Sequence, residues 1–221
     1  METVGVNVTH DASFCRCVNG EIDLFLEEER LSRKKHDNMP VKTVLEFQEN
    51  NFAGVTGLEY HDYSLRDTCN FFDVIFRKKI PDHDYRTYNQ HHYLHACCGF
   101  YNSGFEEADV VVVDGLGNFF DEEHHECATR WYIKKPSEIK LLERQGASRF
   151  GTKTDRHGYW PMGIGMAYAS ISDYLGFGQL GSGKVMGLAP YGKEDPNIKP
   201  FVIDGRVNSK LFYRTKYSAN F

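Results

Sequence analysis

His91 and His95 stand four residues apart in the run Asn89-Gln90-His91-His92-Tyr93-Leu94-His95-Ala96, and further on four valines, Val110 to Val113, lead into Asp114-Gly115-Leu116-Gly117. On a helix, residues at i and i+4 project from one face, so the two imidazoles can share a cation. The valine run reads as a fully buried strand that delivers Asp114 to a glycine turn, where the backbone can approach a ligand closely. Two histidines and one carboxylate with open positions suit iron, manganese or zinc, and leave room for phosphate oxygens or a substrate.

The elements that must position these groups follow from periodicity. Residues 3 to 9 alternate as a strand, and Thr9-His10-Asp11-Ala12-Ser13 forms a tight polar turn. Phe14 to Val18 and Glu21 to Glu27 flank Asn19-Gly20, the strongest short hairpin signal, so the chain is expected to open with three antiparallel strands. Val41, Val44, Leu45 and Phe47 place a helix over 41–50, the spacing of Phe71, Phe72, Val74, Ile75 and Phe76 a second over 66–78, and the histidine run a third over 89–101. Strands are expected at 110–114, 128–133 and 139–144, and a helix over about 165–174. Trp131 and Tyr168 read as core aromatics, and Trp160 beside Pro161 as a candidate to line an acceptor cleft.

Composition is that of an ordinary globular protein, with a formal net charge of −5 and no low-complexity segment. The N-terminus lacks a basic region followed by an apolar stretch, and no run is long enough to span a membrane, so a cytoplasmic protein is expected. The six cysteines show no CxxC pair and read as free thiols. The basic clusters Arg33-Lys34-Lys35 and Arg77-Lys78-Lys79 are short and offset by acids, which argues against nucleic acid as a partner. Glu122-Glu123-His124-His125-Glu126 reads as a solvated hairpin turn. Gly176 to Lys184 lacks the spacing of a phosphate-binding Walker loop, and Val185 stands where a magnesium-holding hydroxyl would be needed.

The strand-turn-strand-strand order occurs twice, with Asp11 after the first strand of one unit and Asp114 after that of the other. This duplication follows the logic of the actin, sugar-kinase and heat-shock ATPase superfold, an α/β ribonuclease H-like architecture in which two such turns hold the phosphates of a nucleotide. The expected division is a first lobe over 1–105 and an incomplete second lobe over 106–221.

Six motifs then carry a family resemblance: Thr9-His10-Asp11-Ala12-Ser13, the acidic stretch Glu27 to Arg33, His91-His92-x-x-His95-Ala96, Phe100-Tyr101-x-Ser103-Gly104-Phe105, Val113-Asp114-Gly115-x-Gly117, and Gly183-Lys184-Val185-Met186-Gly187-Leu188-Ala189-Pro190-Tyr191-Gly192. In this order they resemble the O-carbamoyltransferases of the nodulation-factor, cephalosporin and tobramycin type. The resemblance implies a two-step reaction, in which carbamoyl phosphate and ATP give carbamoyl adenylate and pyrophosphate, and the carbamoyl group then passes to a hydroxyl of a small-molecule acceptor.

By the same resemblance, His91, His95 and Asp114 would hold an iron-like divalent metal, with manganese or zinc as alternatives, beside the phosphates of ATP or of the adenylate. Asp114, Gly115 and Gly117 would form the cofactor-binding turn. His10 would take the proton of the acceptor hydroxyl, and Asp11 would orient it or shape the first phosphate turn. Lys35 and Lys184, the latter in a glycine loop, would contact phosphate as point charges. The match covers only the start of the family's large domain, so the resemblance implies a complementing C-terminal half or self-association. A noncatalytic metal- or nucleotide-binding module that assembles with such a partner is the alternative reading. A relative of the threonylcarbamoyl-transfer proteins that act on tRNA is a weaker one, given the lack of a basic face.

Overall fold

The computed structural model describes residues 2–8, 11–48, 57–60, 90–121, 124–148 and 162–211. The chain divides into two compact units, Met1–Tyr88 and Asn89–Phe221, each mixing helices with small, mostly antiparallel sheets.

In the first unit, β1 (Glu2–Val8), β2 (Ser13–Val18) and β3 (Glu21–Glu27) form the expected antiparallel meander. The β2–β3 turn takes positive φ at both Asn19 (53°) and Gly20 (90°), the conformation that matches strand twist and that the Asn-Gly pair tolerates best. A fourth strand, β4 (Gly57–Tyr60), pairs in parallel with the outer edge of β1, so the sheet order is β3-β2-β1-β4. Val4 and Val6 of β1 and Phe14, which faces Val6 across the β1–β2 pair, are buried, together with Ala12 and with Val44 of helix α2 (Val41–Gln48).

Helix α1 (Glu28–Ser32) begins with a glutamate that is only 1% exposed. The Glu28 carboxylate accepts the backbone N–H of Lys42 at 3.0 Å and of Thr43 at 2.8 Å, and the Thr43 hydroxyl at 3.0 Å. The first turn of a helix leaves N–H donors without intrahelical partners, and a carboxylate there satisfies them and matches the helix dipole. Glu28 thus caps α2 from another element.

In the second unit, α3 (His91–Ser103) ends at Gly104, whose φ of 79° stops the helix, and leads into the meander β5 (Glu107–Val113), β6 (His124–Lys134), β7 (Glu138–Ser148). Ala96 and Phe100 of α3 pack with Val112, Trp131 and Ile133 of the sheet, and Tyr93 meets Trp131 edge-on at a centroid distance of 5.8 Å. Helix α4 (Ile164–Tyr174) and the shorter α5 (Ser182–Leu188) follow, then the small hairpin β8 (Val202–Ile203), β9 (Arg206–Val207). Among the described residues no helix is long and apolar enough to cross a membrane.

Several expectations require correction. The four-valine strand is not buried throughout: Val112 is 7% exposed, but Val111 is 64% and Val113 54% exposed. Side chains alternate across a strand, and among the described residues α3 covers one face of β5 only. The segment read as a solvated turn, His124 to Glu126, belongs to β6, and Glu126 is buried. Tyr168 is 38% exposed rather than core. The glycine-rich stretch from Gly183 is helical through Leu188, so Lys184 sits on α5 and not in a loop. Cys15, Cys17, Cys97, Cys98 and Cys127 are free thiols, as expected. The helix expected over 66–78, together with His10, Cys69 and Trp160, lies outside the described residues.

Candidate metal centre

Packing of α3 decides where its histidines point. With His92, Ala96 and Phe100 against the sheet, His91 and His95 occupy the neighbouring flank of the helix, beside the end of β5 where Asp114 emerges. His91 Nε2 lies 2.8 Å from Asp114 Oδ2 and 3.1 Å from His95 Nε2, and the two rings meet edge-on. Three donor atoms therefore converge. Which ring nitrogen carries a proton in these contacts depends on the tautomers; with neither Nε2 protonated, the three atoms present lone pairs to one cation. A two-histidine, one-carboxylate set of this kind fits a divalent transition metal with open positions.

The shell around these groups is closely specified. The Gly115 N–H donates to Asp114 Oδ1 at 2.6 Å, which fixes the carboxylate so that Oδ2 faces the histidines. Burial opposes ionisation of Asp114, but the hydrogen bonds from His91 and the Gly115 amide outweigh it and hold the carboxyl well below the usual range. Helix α4 abuts the turn: a Cβ on Gly165 would lie 2.5 Å from the Gly115 nitrogen. Only glycine allows the start of α4 to lie this close.

Beneath the cluster, His92 is completely buried. Its Nδ1 meets Thr129 Oγ1 at 3.0 Å, and the Trp131 Nε1–H donates to the same hydroxyl at 2.7 Å. Its Nε2 has no partner among the described residues and faces Gly117, where a Cβ would come within 2.8 Å. Burial chiefly lowers the His92 pKa to about 4; Asp114 opposes this, and His91 and His95 add to it, so the ring is neutral at neutral pH. Glu126, also buried, is pushed up by desolvation against the pull of Arg144, whose Nε–H donates to Oε1 at 3.0 Å. His92, Thr129 and Glu126 are structural participants that the sequence reading missed. An apolar residue would have been the ordinary choice at a sheet-facing position such as 92, four residues before Ala96, and a histidine there was the available signal.

The other sequence candidates are placed as follows. Asp11, in the turn after β1, pairs with His36. The Lys35 ammonium is bound to both oxygens of Glu29, at 2.9 and 3.0 Å. Gly117 is required by the approach of His92 and Glu126, and Gly115 supplies its amide to Asp114. Lys184 extends its ammonium over the Phe177 ring, 5.6 Å from the centroid. The structure brings together His91, His95, Asp114 and Gly115 in one cluster, and Asp11 and Lys35, through His36 and Glu29, in another.

Residues 42–220 match the family model described as the carbamoyltransferase N-terminus. The chain belongs to the carbamoyltransferase family. It is 25% identical over 216 residues to nodulation protein NolNO of Sinorhizobium fredii, covering 85% of this chain and 28% of that protein. Nodulation protein NolO of Bradyrhizobium diazoefficiens is 33% identical over 107 residues, 48% of this chain and 16% of its own length. An uncharacterized protein of Synechocystis is 32% identical over 125 residues, 56% of this chain and 17% of its own length. The chain spans less than a third of each of these relatives, and the His91–His95–Asp114 cluster lies inside the segment that the carbamoyltransferase model matches.

Proposed function

We propose that this chain is the N-terminal portion of an O-carbamoyltransferase that uses ATP and carbamoyl phosphate and transfers the carbamoyl group, by way of carbamoyl adenylate, to a hydroxyl of a small-molecule acceptor. The observation that carries this reading is the convergence of His91, His95 and Asp114 within a carbamoyltransferase-family chain. A divalent metal held there, iron-like or manganese or zinc, supplies concentrated positive charge for the phosphate oxygens of ATP or the adenylate.

The protein's own groups prepare that site. His91 and His95 offer imidazole nitrogens, and Asp114 offers a carboxylate kept ionised by its neighbours. The His92–Thr129–Trp131 hydrogen bonds fix α3 on the sheet, so that the histidines keep their rotation about the helix axis. In the first unit, Lys35 is a candidate phosphate contact and Asp11 occupies the turn after β1. The two larger sheets each contain a three-strand antiparallel meander with an acidic residue after its first strand, Asp11 in one and Asp114 in the other, which supports the actin-like, ribonuclease H-like superfold.

The test has two parts. Calorimetric titration of ferrous or manganous ion into chelator-treated chain should show binding that His95→Ala weakens more than about 100-fold, beyond the range typical of an outer-shell loss. The native protein given carbamoyl phosphate, ATP and a panel of hydroxylated sugars should release AMP and yield a carbamoylated product by mass spectrometry. Equal metal affinity in His95→Ala refutes the site; no carbamoylated product from metal-loaded protein with any acceptor refutes the transfer.

A further inference from the structure

Two separate stretches of the second unit carry the donors of the metal centre: the first turns of α3 hold His91 and His95, and the turn after β5 holds Asp114. Glu126 of β6 meets both supports. Its backbone grips the turn, where the Gly117 N–H donates to the Glu126 carbonyl at 2.7 Å and the Glu126 N–H donates to the Asn118 carbonyl at 3.0 Å. Gly117 is in turn wedged against α3, since a Cβ there would come within 2.9 Å of Glu126 Cβ and 2.7 Å of the His92 ring.

Strand geometry explains how a glutamate comes to lie here. Strict alternation would bury one of two neighbours, yet Glu126 and Cys127 are both buried, at 3% and 6% exposure. The β6–β7 register shifts between Glu126 and Ala128, and a bulge of this kind re-aims a side chain. Arg144 of β7 anchors the carboxylate: its Nε–H donates to Oε1 at 3.0 Å, while its guanidinium lies over the Phe120 ring, 5.2 Å from the centroid. Oε2 is buried without a hydrogen-bond partner among the described residues.

Such an oxygen costs free energy unless its surroundings favour the charge. Desolvation raises the pKa of Glu126, and the Arg144 guanidinium, His91 and the His92 backbone N–H act against it. That amide belongs to the first turn of α3, whose preceding residue Gln90 supplies no side-chain cap. Negative charge at this end also suits the helix dipole. We propose that Glu126, anchored by Arg144, is a positioning residue of the metal centre, tying the turn that carries Asp114 to the helical turns that carry His91 and His95; this role deepens the metal-centre reading and rests on it. Glu126 does not itself supply a donor atom. It sets how far the carboxylate of Asp114 stands from the two imidazoles.

The test uses the full chain, chelator-treated and then titrated with manganous ion by calorimetry, under conditions where urea unfolding shows each variant to be folded. Glu126→Ala should weaken binding by about 10–100-fold, the range of an outer-shell loss, and Glu126→Gln, which keeps the shape and an acceptor oxygen for Arg144, should recover part of that loss. The absorption spectrum of bound cobaltous ion follows donor geometry and should change in Glu126→Ala. Glu28→Ala, which strips a buried glutamate from the other unit, serves as the control for a merely structural loss and should leave metal affinity and spectrum as in the native chain. If Glu126→Ala does not fold, Arg144→Met carries the same expectation for affinity and spectrum. Native affinity retained in Glu126→Ala or, where that variant does not fold, in Arg144→Met, or an equal loss in Glu28→Ala, overturns the assignment and leaves the metal centre standing. A native chain that binds neither manganous nor cobaltous ion removes the metal-centre reading and this role with it, before any variant is made.

Discussion

Burial of His92 predicts a chain that loses stability in mild acid. Its imidazole is fully buried, and its pKa falls from 6.5 in a solvated chain to about 4 in the folded one. Above pH 6.5 the ring is neutral in both states, and the full stability is present. As pH falls below 6.5, the unfolded chain takes up a proton that the folded chain refuses, so unfolding is favoured. The loss is complete near pH 4, where folded His92 protonates as well. At about 1.4 kcal/mol per pH unit, the interval from 6.5 to about 4 corresponds to roughly 3 kcal/mol. That is a large part of the 5–15 kcal/mol of ~100-residue domains in general. The assay is urea unfolding followed by tryptophan fluorescence between pH 7.5 and about 4, with excess chelator, for the native chain and for His92→Asn. Asparagine keeps a partner for Thr129 and does not titrate. The native chain should lose about 3 kcal/mol more than the variant over this range. Parallel stability–pH curves would refute the claim that His92 is held neutral by burial.

Two further perturbations test the packing that aims the site. Gly165→Ala places a Cβ 2.5 Å from the Gly115 nitrogen, so α4 and the Asp114 turn must separate; urea unfolding should show a loss of about 1–3 kcal/mol, with weaker metal binding by titration. Glu28→Ala strips the buried cap from Lys42 and Thr43 of α2 and should cost about 2 kcal/mol by the same unfolding measurement, with Glu28→Gln retaining part of it.

Much of the first unit was legible locally. Asn19-Gly20 forces positive φ at two successive positions, so the β2–β3 hairpin could be read from two residues and the alternation around them. The histidine pair was legible for a similar reason, since i and i+4 share a helix flank whatever the helix packs against. The same local reasoning failed for Val111 and Val113, because a run of valines is compatible with burial on one face or on both. It failed for Glu126 as well: the run from Glu122 to Glu126 looks solvated, yet β6 takes in His124 to Glu126 and Arg144 of β7 comes alongside Glu126. The helix at Ser182–Leu188 overrode a glycine content that suggested a loop.

By itself the sequence determined the types of donor atom, their spacing on α3, the acidic residue after each meander's first strand, and a family pattern distributed over the chain. Those properties depend on chemistry and on helix and strand periods, which act over a few residues. Only the tertiary structure decided that Asp114 meets His91 and not solvent, that His92 goes beneath the site as a neutral clamp, and that Asp11 pairs with His36. These pairings join residues 23, 37 and 25 positions apart, and such contacts are set by which faces pack together and by the backbone turns that packing holds in place.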